Sequence, residues 1–256
     1  MPSLKRKALA AAATVAAGLC LPASPVHADT RIPVGAGTGI IQQLIQVDGG
    51  GYTEETCTMT AVGHDAAGNL VGLTNAHCFL KDGKKVEGDK VYYDTTPAGT
   101  AAAPAPVPDP RPAVKIGAIG TVTYISTPNN LLTIGQPHGL DYAVIKLDPT
   151  KVKATDTVTS STGTAKITSI GDVPAFGTRM CKQGHRTGVT CGATLVRNGR
   201  WYTTLIWTQP GDSGSPVYNG NALVGSAWGA QHFTPFKTIV ADMNSHGGVG
   251  AGFHVG

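Results

Sequence analysis

The sequence predicts an all-β fold, arranged as barrels or as a sandwich. Two observations carry this expectation. Glycine, threonine and valine are plentiful (glycine alone supplies 34 of 256 residues), and no long amphipathic helical repeat is present. Short apolar-alternating runs bounded by turn residues also recur along the chain. Many short strands in a chain of this size close into barrels or pack as two sheets.

Taken in order, the chain opens with a basic start at Lys5, Arg6 and Lys7, an apolar run from Ala8 to Leu21, and a small-residue cleavage pattern at Val26-His27-Ala28. That layout predicts a secretory signal peptide over residues 1–28, because the apolar run is too short to span a bilayer. A retained anchor is the alternative. A lipoprotein cysteine at Cys20 is set aside, since Ala-Gly-Leu before it fits that signal poorly. The expected location is extracellular, with no stable membrane anchor. Removing residues 1–28 leaves 17 basic and 16 acidic residues, a near-neutral balance without a nucleic-acid footprint.

Strands are expected at 69–74, 114–125, 141–147, 165–170, 201–207 and 222–228. The segment 95–112 is rich in proline and alanine, which excludes a central strand and predicts an exposed loop. The polar segment 148–163 is expected to join two halves, 29–150 and 151–256. One short helix is expected near the C-terminus at 234–245, followed by a glycine-rich tail over 247–256 that is expected to be mobile. The glycine triplets at Gly35-Ala-Gly37-Thr-Gly39 and Gly248-Val-Gly250-Ala-Gly252 lack the dinucleotide pattern and read as turns.

Four cysteines follow the signal: Cys57, Cys78, Cys181 and Cys191. An even number in an exported chain predicts disulfides. Three pairings are open, and 57–78 with 181–191 is favoured because each pair lies within its own half. A zinc site would want close Cys-x-x-Cys or Cys/His pairs, which are absent from the sequence, so no metal and no cofactor are expected.

Three segments carry chemistry together. Thr74-Asn-Ala-His77-Cys78 puts a histidine at the end of an apolar strand, Asp141-Tyr-Ala-Val-Ile-Lys-Leu147 starts a strand with an acid, and Gly211-Asp212-Ser213-Gly214-Ser215-Pro216 places a serine between glycines. Each is commonplace alone, as a structural histidine, a turn aspartate and a glycine turn. Together they supply what acyl transfer needs. A serine hydroxyl is a weak nucleophile until a neutral imidazole takes its proton, and a carboxylate holds the imidazole in one tautomer. Backbone N–H groups in a glycine loop, here those of Gly211 and Ser213, can stabilise the oxyanion.

With these motifs in hand, the chain resembles the chymotrypsin-like (trypsin-like) serine peptidase family. The run Cys181-Lys-Gln-Gly-His-Arg-Thr-Gly-Val-Thr-Cys191-Gly192 is similar to the bacterial secreted branch that includes alpha-lytic endopeptidase and streptogrisins. The likeness covers about Cys57 to Gly229. It implies two antiparallel six-stranded β-barrels with the site in the cleft between them, His77 and Asp141 coming from the first and Ser213 from the second. It also implies that Cys57–Cys78 clamps the loop bearing the base. Ser226, with Trp228 and Gly229, resembles the segment that binds substrate backbone as an added strand. The implied protein is a monomer whose partner is a protein or peptide substrate.

The chain departs from the family pattern in three ways. Only about a dozen residues separate the expected cleavage point from the first apolar segment, so no folding pro-region fits. No third disulfide brackets the nucleophile, and Trp207 stands where the family lines its primary specificity pocket. Finally, a buried Asp212 needs a cation. Lys182 is the expected partner, with Arg179 or Arg186 as alternatives. Arg31-Ile32-Pro33-Val34 is a weaker sign of an activating cut, because Pro33 interrupts the usual motif.

Two rival functions remain. An α/β-hydrolase esterase would run serine, acid, histidine along the chain, whereas this order is histidine, aspartate, serine. A latent or non-catalytic secreted binding protein on the protease fold is the alternative from another class.

Overall fold

The strand Ala143–Leu147 shows why this sequence folds into closed sheets. Its side chains alternate, as period-2 geometry requires. Ala143, Ile145 and Leu147 enter one apolar cluster with Ile40, Met59, Val91 and Val122. Tyr142 and Val144 face the other way, into a second cluster with Phe236, Ile239 and Met243. A strand buried on both faces belongs to a wall between two cores.

The structure is a computed structural model. It describes residues 28–47, 51–100, 111–129, 139–229 and 231–256, and of residues 43–47, 51–54 and 111 the backbone alone. Residues 1–27 of the expected signal and residues 101–110 of the proline- and alanine-rich loop lie outside the described residues. Arg31–Gly256 forms one compact unit. None of the described helices is long and apolar enough to cross a membrane.

Two rings of strands make an all-β, chymotrypsin-like fold. In the first, Ala143–Leu147 lies between Leu70–Thr74 and Gly120–Ile125. The ring continues through Lys90–Tyr93, Gly39–Val47 and Gly51–Thr58. The last of these runs on across Met59 and Thr60 into Ala61–His64, which pairs back with Leu70–Thr74 and so closes six strands. In the second ring, Arg179–Gly184, Gly188–Asn198, Trp201–Thr204, His232–Pro235, Ala222–Gly229 and Pro216–Asn219 pair in turn, and Pro216–Asn219 returns to Arg179–Gly184. Its core holds Met180, Ile206, Val217, Val224 and Phe233.

Several local expectations are corrected. Residues 114–116 belong to the helix Arg111–Ile116, which also takes the end of the expected loop at 111–112, and the strand is confined to Gly120–Ile125. The segment 148–163 is no bare connection. It holds Val152–Ala154, paired in parallel with Ile32–Val34, and Thr157–Ser160, paired with Gly163–Lys166. The C-terminal helix spans Phe236–His246, buries Phe236, Ile239 and Met243 at helical spacing, and ends where Gly247 takes φ 72° and donates to the Met243 carbonyl.

The glycine-rich tail is docked. His254–Val255 pairs with Ala61–His64, and Phe253 is buried against Phe236. Asp65 Oδ2 accepts the Gly250 N–H at 3.1 Å, and Asn244 Oδ1 accepts that of Gly252 at 2.7 Å. Glycine content signals freedom in the unfolded chain. Here it permits the positive φ angles of a tight return path.

Candidate active site

His77 sits in a 3-10 turn, Ala76–Phe79, directly after Leu70–Thr74. A disulfide joins Cys57 to Cys78 and ties this turn to the strand Gly51–Thr58. A second disulfide, Cys181–Cys191, links the paired strands Arg179–Gly184 and Gly188–Asn198. Cys57, Cys78 and His77 also form a group of close metal-type donors, but both sulfurs are consumed by the disulfide and no thiolate is available.

Asp141 lies just before its strand, fully buried, with a left-handed φ of 52°. That strained backbone turns the carboxylate toward the histidine turn. Oδ1 accepts the His77 backbone N–H at 2.9 Å, and Oδ2 lies 2.8 Å from His77 Nδ1. On the far side of the ring, His77 Nε2 lies 2.8 Å from Ser213 Oγ. Burial disfavours the imidazolium, yet the Asp141 charge and hydrogen bond outweigh it and hold the His77 pKa above the ordinary imidazole value. Asn75, also buried, donates to the Asp141 carbonyl at 2.8 Å and to Ser226 Oγ at 3.1 Å.

The serine loop is clasped by threonines of the first ring. The Thr58 N–H donates to the Ser213 carbonyl at 2.7 Å, and its hydroxyl donates to that of Gly211 at 2.9 Å. Thr60 donates to the Gly214 carbonyl at 2.7 Å. Gly214, at φ 85°, has no room for a side chain, since a Cβ there would lie 2.1 Å from the Thr58 carbonyl oxygen. Among the described residues, the N–H groups of Gly211 and Ser213 donate to no protein acceptor. They are the two that sequence reasoning names for the oxyanion.

Asp212 is buried behind the loop. Lys182 Nζ lies 3.3 Å from its Oδ2, and the two side chains are 0% and 1% exposed. The N–H groups of Arg186, Thr187 and Gln209 and the Thr187 hydroxyl also donate to this carboxylate. Desolvation lowers the Lys182 pKa, and the Asp212 charge offsets part of that. Arg179, at the surface, reaches Cys181 Sγ at 3.7 Å, and Arg186 reaches the Pro210 carbonyl at 2.9 Å. Neither side chain takes the place of Lys182.

The three residues expected to bind substrate separate along one strand. Ser226 is fully buried, with its backbone paired to Pro216 and Thr234 and its hydroxyl 2.8 Å from Thr60 Oγ1. Ala227 is bonded to Gly214 and Ser215. Trp228 and Gly229 follow in the same strand, where Gly229 pairs with His232 past an irregularity after Ala227, and the Trp228 indole is buried edge-on to Trp201. Trp207 is 52% exposed, with its carbonyl held by Thr190.

Sequence reasoning missed Thr58, Thr60, Asn75 and Thr187, and it missed a buried contact of 2.8 Å between an Asp94 carboxylate oxygen and His185 Nε2. Asn75 and Thr187 stand inside the quoted motifs. Asp94 lies 91 positions from its partner, and no local signal announces it.

Comparison with known proteins fits this geometry. The model of the trypsin-like peptidase domain matches residues 57–225. The chain is similar in fold to Nocardiopsis protease (17% identity, 83% of this chain and 97% of that one, TM-score 0.57). It is also similar to Thermobifida fusca protease A (17%, 88% and 100%, TM-score 0.56) and to a homologue of alpha-lytic protease (18%, 83% and 97%, TM-score 0.51). Among curated proteins none matches. At these identities the structures speak for the fold, and the domain match speaks for the family. The chain belongs to the trypsin-like peptidase family.

Proposed function

We propose that the chain is a secreted serine endopeptidase that cleaves proteins or peptides through an acyl-enzyme on Ser213. His77 Nε2 takes the Ser213 proton as Oγ attacks the scissile carbonyl. Asp141 keeps the other ring proton on Nδ1 and stabilises the imidazolium. The oxyanion is received by the Gly211 and Ser213 N–H groups, each donor worth about 3 kcal/mol in the transition state. His77 then returns the proton to the leaving amine, and water repeats the sequence on the ester. These steps call on side chains and backbone alone.

The observation that carries this reading is the unbroken relay of 2.8 Å contacts from Asp141 through His77 to Ser213. It stands beside two backbone donors without protein partners among the described residues. Export is supported by the leader-like start and by two disulfides, which persist in oxidising compartments. Trp228 and Gly229 are the backbone to which a substrate strand would add. The protein is proposed to act as a monomer.

Hydrolysis of an unfolded protein substrate by the purified protein tests the reading. Cleavage lost in Ser213→Ala supports it. Cleavage retained there, or absent from the correctly disulfide-bonded wild type, overturns it.

A further inference from the structure

We propose that Arg186 is a positioning residue of this site: its guanidinium fixes the one peptide whose orientation decides whether Gly211 presents an N–H or a carbonyl oxygen to the reacting centre. The proposal rests on the peptidase reading.

The Pro210–Gly211 peptide is trans, so its oxygen and its N–H point to opposite sides. Arg186 Nη1 donates to that oxygen, on Pro210, at 2.9 Å. The Gly211 N–H is therefore aimed away from the guanidinium. Glycine sets little preference for the sign of φ, and Gly211 sits at φ 99°. This peptide can consequently rotate about its two flanking bonds with little disturbance to the chain, and a rotated peptide would place an oxygen where the oxyanion forms.

Both neighbouring peptides are tied independently of the arginine side chain. Before it, the Gln209 carbonyl accepts the Asp212 N–H at 2.9 Å. After it, the Gly211 carbonyl accepts the Thr58 hydroxyl at 2.9 Å. Among the described residues, Arg186 alone binds the oxygen of the peptide between them.

Arg186 is itself well placed for the task. Its backbone N–H is bonded to Asp212 Oδ1 at 3.2 Å. The preceding N–H, of His185, donates to the same Thr58 hydroxyl at 3.0 Å, and the His185 ring is anchored by Asp94. The arginine stem runs along Gly211, where an added Cβ would meet Arg186 Cβ at 3.4 Å and Cδ at 3.5 Å. A cation on a carbonyl oxygen also polarises that amide, which strengthens its N–H as a donor.

The test compares wild type, Arg186→Met, Arg186→Lys and Arg186→Ala in steady-state peptide hydrolysis and in binding of a peptide boronic acid. Ser213 Oγ gives its proton to His77 Nε2 and bonds to boron, which becomes a tetrahedral anion facing the same donors. Arg186→Met keeps the stem and removes the donor. The expected result is a kcat lowered about 10- to 100-fold, or about 1.4–2.7 kcal/mol at 1.36 kcal/mol per decade. KM should stay within about twofold, and boronate affinity should fall by the same factor as kcat. Arg186→Lys retains one donor and should recover most of the loss, and millimolar methylguanidinium should partly restore Arg186→Ala. Wild-type kcat in Arg186→Met overturns the proposal. So does a loss that follows the melting temperature while boronate affinity is unchanged, which would make the arginine merely structural. A wild type that neither cleaves peptides nor binds the boronate would instead defeat the peptidase reading, and the proposal with it.

Discussion

Replacing Lys182 by methionine strips the cation from a carboxylate that has nowhere else to go. The two side chains are 0% and 1% exposed and 3.3 Å apart. Removing one partner of a buried pair costs about 3–5 kcal/mol, because the survivor stays desolvated. Asp212 would keep three backbone N–H donors and the Thr187 hydroxyl, so the loss belongs near the lower end, at about 3 kcal/mol. Thr187 would be loosened as well, since Lys182 Nζ bonds its hydroxyl and reaches the Gly188 carbonyl at 3.2 Å. Urea unfolding of reduced-free, disulfide-intact protein should show the midpoint lowered by about 1 M for slopes of about 2–3 kcal/mol/M. The thermodynamic cycle with Asp212→Asn isolates the pair: the double variant should lose less than the two singles combined, by about 2 kcal/mol. Strictly additive losses, or a single variant as stable as wild type, would refute the reasoning. Full activity of Lys182→Met that appears only after cleavage at Arg31 would refute it too, by making the new N-terminus the true counter-ion.

Further outcomes follow from the same geometry. Gly214→Ala should cost at least about 2 kcal/mol and abolish turnover, since the new methyl meets the Thr58 carbonyl at a backbone angle of 85°; thermal melts and peptide hydrolysis read both. The acid limb of kcat/KM should lie above pH 6.5, the ordinary imidazole value, because Asp141 raises the His77 pKa. Asp141→Asn should move that limb downward and reduce kcat by several orders of magnitude. The sign for stability is consistent: a raised folded pKa means the pair stabilises fully below about pH 6.5 and fades as pH climbs through the raised value. Phe253→Ala should cost about 3 kcal/mol in denaturant unfolding if the tail is docked core, whereas a mobile tail would tolerate it.

The fold class and the three chemical segments are legible in the sequence because each is written locally. Period-2 alternation marks 141–147, and a serine between glycines marks a loop whose backbone must approach another strand. Pairing of cysteines within each half is legible for the same reason. What escapes is set by partners far apart in the chain. Thr58 contacts Gly211, 153 positions away, and Asp94 meets His185 across the fold. The helix at Arg111–Ile116 is missed because Val114 to Ile125 reads as one apolar run, although Gly117 with φ 74° breaks it. The tail is misread because composition alone reports glycine freedom and says nothing of Phe253, whose burial beside Phe236 fixes the segment.

The measurement that bears most directly on the central claim is labelling of the purified protein by a fluorophosphonate, followed by intact mass and peptide mapping. The probe loses fluoride as Ser213 Oγ forms the phosphorus bond, a step that needs the His77 base and the two backbone donors together. The account predicts one adduct per chain, on Ser213, abolished by Ser213→Ala and by His77→Ala. A folded, disulfide-bonded wild type that takes up no label, or labelling that survives either substitution, would contradict it.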